Sequence, residues 1–287
     1  MPLDSIAEIL ASCSERNLAF WQVVLEADVE ERQVSAEASF EKMRATWRAM
    51  LDSAESYDGG LRSVSGLSGG DGELMLRYAA GGAALGGGYI SEVIATALCV
   101  GESNACMRKI VAAPTAGACG VLPAVLVPLY RRGEREEDIL RALYTAAGIG
   151  AVINSRASIS GAAGGCQAEI GSASAMAAGA LAQLRGGGPE QTANALAMAL
   201  KNLMGLICDP VAGLVEVPCV KRNVIGAVNA VSCADMAPAG ITSRIPADEV
   251  IDCMGIVGER LPREFRETAR GGLAATPTGR AAWKQLK

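Results

Sequence analysis

Histidine is absent from this chain of 287 residues. The absence excludes His-dependent triads, histidine zinc sites and an imidazole general base. A proton acceptor must then be a lysine, a carboxylate, a cysteine, an activated hydroxyl or a group from another chain. Aromatic residues are scarce as well, at 4%, which disfavours a β-sandwich. With 34 glycines and many Ala, Leu and Val residues, the composition favours closely packed helices.

The chain also lacks a long basic run, and its formal net charge is -5. Nucleic-acid binding therefore has little support. No basic stretch followed by an apolar stretch opens the sequence, so a secretory leader is not expected. Nine cysteines, an odd number, together with that missing leader argue against a disulfide framework and favour a reducing cytoplasm.

One uncharged run, residues 110–130, is long enough to span a bilayer. Its interior holds three prolines and two glycines, which would leave backbone groups unpaired in lipid. We therefore expect no membrane span here, but a buried helix that is entered through a Pro/Gly loop.

Apolar periodicity predicts an all-α fold, a multi-helix globular domain in which loops between Ala/Gly-rich helices carry the chemistry. We divide the chain into an N-terminal helical appendage, residues 1–57, and a catalytic helical domain, residues 58–287, although one continuous domain is also possible. In the appendage, the face that holds Trp47 is expected to pack in the core. The further predicted helices span 35–53, 71–78, 89–100, 136–154, 166–184, 189–206, 221–236 and 246–261.

Three cysteines stand where helical patterns are broken by Gly or Pro: Cys166, Cys208 and Cys219. Thiolates bind iron as clusters, and three of them on a 4Fe-4S cube would leave one iron open to a substrate. The alternative is that they are buried apolar cysteines. Their spacings of 42 and 11 residues match no compact ligand motif, so the residues alone leave both readings open.

The surrounding motifs are S-I-S-G-A-A-G-G-C-Q-A-E, ending at Glu169, C-D-P-V-A-G-L-V-E-V-P-C-V-K-R-N from Cys208, and I-V-A-A-P-T-A-G-A-C-G-V-L-P-A from Ile110. Between about Arg62 and Gly279 the chain resembles the alpha part of the iron-sulfur-dependent L-serine dehydratases, or L-serine ammonia-lyases. The resemblance implies that Cys166, Cys208 and Cys219 hold a catalytic 4Fe-4S cluster. It also implies deamination of L-serine to pyruvate and ammonia without pyridoxal phosphate.

Two loops become candidate substrate sites through this resemblance. S-G-L-S-G-G places Ser65 and Ser68 in a Gly- and Ser-rich loop whose N-H groups and hydroxyls suit an anion. Thr115 lies in the Pro/Gly loop before the expected buried helix, and Asn104 in the segment ahead of it. A helix start there would attract the substrate carboxylate.

The proton acceptor stays open between Lys109, Lys201 and Glu169. Single-chain members of the resembled family carry an additional beta domain, so we expect a separate beta chain as partner, and a homo- or hetero-oligomer. Two other functions remain possible from the sequence: a cysteine desulfidase-like lyase that uses the same cluster, and a non-catalytic cluster- or zinc-binding protein.

Overall fold

This computed structural model describes residues 3–286, which form thirteen α-helices. Within those residues there is no strand, and a single bridge pairs Cys208 with Arg266. The predicted all-α fold is therefore confirmed. The helices are α1 Ile6–Arg16, α2 Phe20–Arg32, α3 Ala36–Glu55, α4 Asp71–Ala80, α5 Gly87–Ala105, α6 Val121–Arg131, α7 Glu136–Arg156, α8 Gly161–Gly164, α9 Ser172–Leu184, α10 Pro189–Asn202, α11 Cys219–Met236, α12 Ala247–Arg260 and α13 Pro277–Gln285.

Helix α9 forms the centre of the core, and every residue from Ser172 to Ala182 is buried. Its sequence is almost entirely Ala, Ser and Gly, so α6, α7, α10 and α11 can approach it closely. At Gly179, an added Cβ would lie 2.3 Å from Cδ1 of Ile149 on α7. The small side chains therefore set the spacing of the helices around α9.

Polar side chains fix the register of α9 against its neighbours. Ser174 donates a hydrogen bond to the carbonyl of Gly226 on α11, 2.7 Å away. Asn229, also on α11, donates to Ser174 Oγ and to the carbonyl of Ala199 on α10, both at 2.9 Å. Because these groups are buried or partly buried, losing one partner would leave an unpaired polar atom.

The N-terminal helices share the main hydrophobic core with the rest of the chain. Ile6, Phe20 and Trp47 are each at most 1% exposed and belong to the same packed cluster as α9. Trp47 meets Tyr130 of α6 edge-on at 5.5 Å between ring centroids, so its predicted packing role is confirmed. The division into an appendage and a catalytic domain near residue 57 stays a prediction.

The predicted helices are all present, but their ends differ from the prediction by up to five residues. Helix α5 runs from Gly87 to Ala105, two residues before and five residues beyond the predicted ends. Helix α10 stops at Asn202, four residues early, and α11 begins at Cys219, two residues early. The segment 166–184 is not uniform, because a π-helical turn, Gln167–Gly171, precedes α9. π-helical turns of this kind are frequent at functional sites.

The uncharged run 110–130 folds as an extended entry, a short 3-10 turn, Ala116–Ala118, and then α6. Residues Val121 to Pro128 of α6 are all buried in the core. This confirms the expected buried helix behind a Pro/Gly loop. Among residues 3–286, no helix combines the length and hydropathy that crossing a bilayer requires.

Candidate active site

The three motif cysteines lie at junctions between loops and helices. Cys166 directly precedes the π-helical turn, and Cys219 is the first residue of α11. Cys208 lies on the segment that joins α10 to α11, where its N-H donates to the carbonyl of Phe265 at 2.8 Å. Cys166 and Cys208 are 3% and 4% exposed, and Cys219 is partly buried.

The fold brings these thiols within electrostatic range of one another. Burial raises the pKa of Cys208, and Cys166, Glu169 and Cys219 raise it further. Burial likewise raises the pKa of Cys219 to about 12, again with contributions from Cys166 and Glu169. Neighbouring negative charges oppose ionisation of a buried thiol, so a group binding all three thiolates must bring positive charge.

A buried arginine stands beside these thiols. Burial raises the pKa of Cys166 to about 11, whereas the charge of Arg222 and a hydrogen bond with it act in the opposite direction. Arg222 lies one turn into α11, donates to the carbonyl of Ile207 and pairs with Asp209, both at 2.8 Å. Its side chain is 15% exposed and that of Asp209 is 3% exposed. Removing either partner of this largely buried pair would be strongly destabilising, because it would leave an uncompensated charge.

Gln167 joins the segment of Cys166 to that of Cys208. Its backbone N-H donates to the carbonyl of Leu206 at 2.9 Å, and its side-chain oxygen accepts from the N-H of Gly205 at 2.8 Å. Its amide nitrogen donates to the carbonyls of Gly164 and Met254. The side chain is fully buried, so these bonds fix the relative position of the two cysteine segments.

Glu169 faces the thiols from the π-helical turn. Its Oε1 accepts a hydrogen bond from the Thr115 hydroxyl at 2.7 Å. Burial raises the pKa of Glu169, while the bond from Thr115 lowers it. An added Cβ on Gly161 would lie 2.6 Å from Glu169 Oε2 and 3.2 Å from Cys208 Sγ. Only glycine leaves the space between that carboxylate and that thiol open.

The loop that carries Thr115 is tied to the start of α11 by Asn223. The side-chain oxygen of Asn223 accepts a hydrogen bond from the N-H of Gly120 at 2.8 Å. Its side-chain nitrogen donates to the carbonyls of Gly117 and Cys219. Asn104 donates to the carbonyl of Ala116 at 3.2 Å. Thr115 and Asn104 therefore belong to the border of the cysteine site.

The Gly- and Ser-rich loop meets an anion, as its pattern predicts, and that anion is a carboxylate of this chain. Glu102 is 1% exposed and accepts from the backbone N-H groups of Gly69, Asp71 and Gly72 at 2.9 to 3.1 Å. The Tyr57 hydroxyl donates to the same carboxylate. Those N-H groups are thus already occupied within the chain.

The serines of this loop bind a second carboxylate. Ser63 and Ser65 both donate to Glu216, which is 5% exposed and lies three residues before Cys219. Ser68 is buried, and its N-H donates to the Ser63 hydroxyl at 3.2 Å. The loop is therefore attached to the second cysteine motif, and the substrate contacts expected of Ser65 and Ser68 stay predictions.

The two lysine candidates lie elsewhere. Lys201 donates to the backbone carbonyl and to the hydroxyl of Ser243. Lys109 is exposed in a surface groove beside Arg44 and Arg48 of α3. Neither lysine forms a hydrogen bond or ion pair with the cysteine motifs in the part of the chain that the structure describes. Of the three candidate bases, Glu169 is the one placed beside the thiols.

Sequence reasoning missed Arg222, Asp209, Glu102, Glu216 and Asn223. The signal for Arg222 and Asp209 was their position inside the cysteine motif C-D-P-V-A-G-L-V-E-V-P-C-V-K-R-N. No sequence motif indicated the role of Glu102, because its partners are backbone N-H groups about thirty residues earlier in the chain.

Thiolates are the ligands that iron-sulfur clusters use. Within residues 3–286, no three Cys, Asp or Glu side chains are grouped as ligands for one metal ion. In an iron-sulfur cube each thiolate binds a different iron, so its ligands need not converge on one point. The three largely buried thiols of Cys166, Cys208 and Cys219 would provide three ligands of such a cube.

These features define an all-α protein whose site combines three cysteines, a buried arginine and a flanking carboxylate at the ends of helices. The family model described as serine dehydratase alpha chain matches residues 15–274. The chain therefore belongs to the serine dehydratase alpha-chain family.

Individual relatives agree with this assignment. The chain is 46% identical to a probable L-serine dehydratase alpha chain of Bacillus subtilis, over 98% of this chain and 94% of that one. It is 39% identical to the L-serine dehydratase alpha chain of Peptoniphilus asaccharolyticus, over 96% of each. An L-serine dehydratase of Streptomyces coelicolor is 47% identical over 62% of this chain, but over only 40% of its own length.

Proposed function

We propose that this protein is the alpha chain of an L-serine ammonia-lyase, which converts L-serine to pyruvate and ammonia. The observation that carries the proposal is that relatives matching nearly the whole chain are named L-serine dehydratase alpha chains. The mutual charge effects among Cys166, Cys208, Cys219 and Glu169 support it. A cytoplasmic location, where thiols stay reduced, is part of the proposal.

Cys166, Cys208 and Cys219 would hold a 4Fe-4S cluster. When bound, such a cluster supplies a Lewis-acidic iron with an open coordination position. Arg222 offsets negative charge at Cys166, and its own position is fixed by Asp209 and the Ile207 carbonyl. No pyridoxal phosphate is needed.

Glu169 would accept the α-proton of serine. Its carboxylate faces the thiols, and the hydrogen bond from Thr115 holds one oxygen in place. Loss of that proton and of the β-hydroxide leaves aminoacrylate, which tautomerises to an imine and hydrolyses in water. A positioned carboxylate of this kind contributes roughly 10²- to 10⁴-fold to such a proton transfer.

Substrate contacts would come from the border of the site. Asn104 and Thr115 are adjacent to the short 3-10 turn Ala116–Ala118, and Ser65 is attached to Glu216 near Cys219. We include Ser68 with them, since it belongs to the same loop. Hydroxyl and amide groups at these places would orient the amino and carboxylate groups of serine.

A beta chain would complete the enzyme as a hetero-oligomer. The relatives that match over nearly their full length are named alpha chains, whereas longer relatives named L-serine dehydratase without a chain designation match over 40% of their length. The exposure of α4, in which only Gly72 is buried, supports placing the partner there. Large apolar side chains are exposed on α4 and on the segments before and after it in the chain, from 41% to complete exposure: Val64, Leu67, Leu74, Leu76, Tyr78, Leu85 and Met107. Patches of this kind mark interfaces.

The test is anaerobic reconstitution of the chain with iron and sulfide, with and without a co-expressed beta chain, followed by assays with L-serine and L-cysteine. Pyruvate and ammonia from serine, with about four irons per chain, support the proposal. Sulfide from cysteine alone would identify a desulfidase-like lyase. Iron uptake without turnover in either preparation would identify a binding protein.

The partner surface has its own test. Leu74→Glu should prevent co-purification with the beta chain, while Ile256→Glu, a matched change at a 49% exposed position on α12, should not. Equal co-purification of both variants would contradict this placement.

A further inference from the structure

A cationic cavity lies next to the C-terminal helix, outside the cysteine site. Its volume is about 550 Å³, and its walls include Thr268, Arg270, Arg280, Trp283 and Lys284. No cysteine of the three motifs, nor Glu169 or Thr115, contributes to it. The volume falls in the usual range of small-molecule sites, roughly 300 to 1,000 Å³.

Among residues 3–286, the charged side chains that line this cavity are all positive. Arg270, Arg280 and Lys284 line it, and among residues 3–286 no carboxylate does. None of the three cations forms an ion pair or side-chain hydrogen bond with another described residue, although the rest of the surface carries many Arg-carboxylate pairs. Three cations facing one concave surface in a chain of net charge -5 are a local concentration of unneutralised charge.

The chemistry of the walls favours phosphate over a simple carboxylate. Two guanidinium groups can each bind phosphate oxygens in a bidentate manner, and an ammonium group adds a point charge. Trp283 is 46% exposed and offers an aromatic surface at the same wall. A ligand with several negative charges would use all three cations, whereas one carboxylate would leave most of them unpaired.

The wall of the cavity is also connected to the segment of Cys208. Glu267 donates its N-H to the carbonyl of Cys208 at 3.2 Å, and Leu273 donates to Asp209 at 2.8 Å. Ala282 of α13 packs on Val211 and Ala212 of the second cysteine motif. Residues 265–284 therefore join the cavity to the loop between Cys208 and Cys219.

We propose that this cavity binds a phosphorylated small molecule, and that its binding reduces the mobility of the segment that positions Cys208. Binding itself does not depend on the proposed lyase function. Any effect on turnover rests on that function.

The experiment titrates the full-length protein with inorganic pyrophosphate, ADP and adenosine, and follows tryptophan fluorescence and thermal midpoint. Trp21 and Trp47 lie in or against the core, so the signal should come from Trp283. We expect saturable binding of pyrophosphate and ADP, none of adenosine, and a rise in midpoint because the ligand binds the folded state. Trp283→Phe should remove the fluorescence change while leaving the shift in midpoint.

Arg280→Ala with Lys284→Ala should raise the pyrophosphate Kd at least about tenfold, a typical loss for charge-assisted bonds. Arg48→Ala, an exposed cation on α3, is the matched control and should leave Kd unchanged. Equal Kd values in the double variant and the control, or no saturation by pyrophosphate, would overturn the proposal.

Hydrogen exchange supplies the readout for mobility. Pyrophosphate should slow amide exchange at Cys208 and in residues 265–273, where the connecting hydrogen bonds lie. Unchanged exchange there, with pyrophosphate bound, would overturn the coupling to Cys208. A protein that binds pyrophosphate but never turns over serine would contradict the lyase proposal and leave this site in place.

Discussion

Two glycine-containing loops of this protein both contact carboxylates of their own chain, but in different surroundings. The loop at 61–72 places its N-H groups and hydroxyls on two carboxylates of its own chain, Glu102 and Glu216. The loop at 113–120 instead places Thr115 on Glu169, whose carboxylate faces three cysteines. The first loop is held by two buried carboxylates, whereas the second lies beside the candidate site that contains the three cysteines.

The comparison shows that loop sequence alone does not determine which carboxylate a loop's N-H and hydroxyl groups will bind. Glu102 is buried on α5, and without the N-H groups of the loop its charge would be very costly to bury. Glu169 has a single neutral hydrogen-bond donor, Thr115, in the described structure, and this leaves it freer to exchange a proton. Substitutions at the two loops should therefore affect different properties.

The largest effect should follow the loss of a thiol. Cys208→Ser removes one of three proposed cluster ligands, and since changes to outer partners already cost roughly 10- to 100-fold in metal binding, we expect more than that here. Iron per chain after anaerobic reconstitution and the rate of pyruvate formation both measure it. Cys253→Ser, at an exposed cysteine, is the control. Full iron content in Cys208→Ser would remove this residue from the ligand set.

Glu169→Gln should lower the rate of catalysis without changing cluster binding or stability. The amide keeps the hydrogen bond from Thr115 but cannot accept a proton, so kcat should fall by roughly 10²- to 10⁴-fold. Iron content and thermal midpoint should stay near those of the unchanged protein. Glu15→Gln, on the exposed face of α1, should have no effect. A kcat within twofold of normal would show that another group is the base.

Glu102→Gln should mainly lower stability. A neutral amide has one acceptor oxygen where the carboxylate has two, and its NH₂ group would face backbone N-H donors. We expect a loss of roughly 3 kcal/mol in the free energy of unfolding, since bonds to charged groups contribute about 1.5 to 3 kcal/mol each. Urea unfolding measures the loss.

Tyr57→Phe removes one bond to the same carboxylate and should cost less, about 1 to 2 kcal/mol. A Glu102→Gln variant as stable as the unchanged protein would mean that the loop does not depend on this carboxylate.

The smallest effect should come from Ser65→Ala. It removes one hydroxyl from Glu216, while Ser63 still donates to that carboxylate. If Ser65 also contacts serine, KM should rise by up to roughly tenfold, the value of one hydrogen bond. Steady-state kinetics with L-serine decide this, with exposed Ser56→Ala as control. An unchanged KM would limit Ser65 to holding the loop.

Much of the fold was readable from the sequence because it depends on local patterns. Apolar periodicity located α3, α7 and α12 within a few residues. The Pro and Gly residues of the run 110–130 correctly predicted a loop followed by a buried helix. The small residues of α9 predicted close packing. Each of these patterns lies within one segment, where neighbours along the chain decide the outcome.

The sequence by itself determined the helices, the loops that interrupt them and the three cysteines at those interruptions. Only the tertiary structure decided which groups meet: Glu169 with the thiols, Arg222 with Asp209, and Glu102 with the N-H groups of a distant loop. The reason is physical. Helical periodicity is a short-range property, whereas the partners of a buried charge come from any part of the chain that packs close enough to satisfy it.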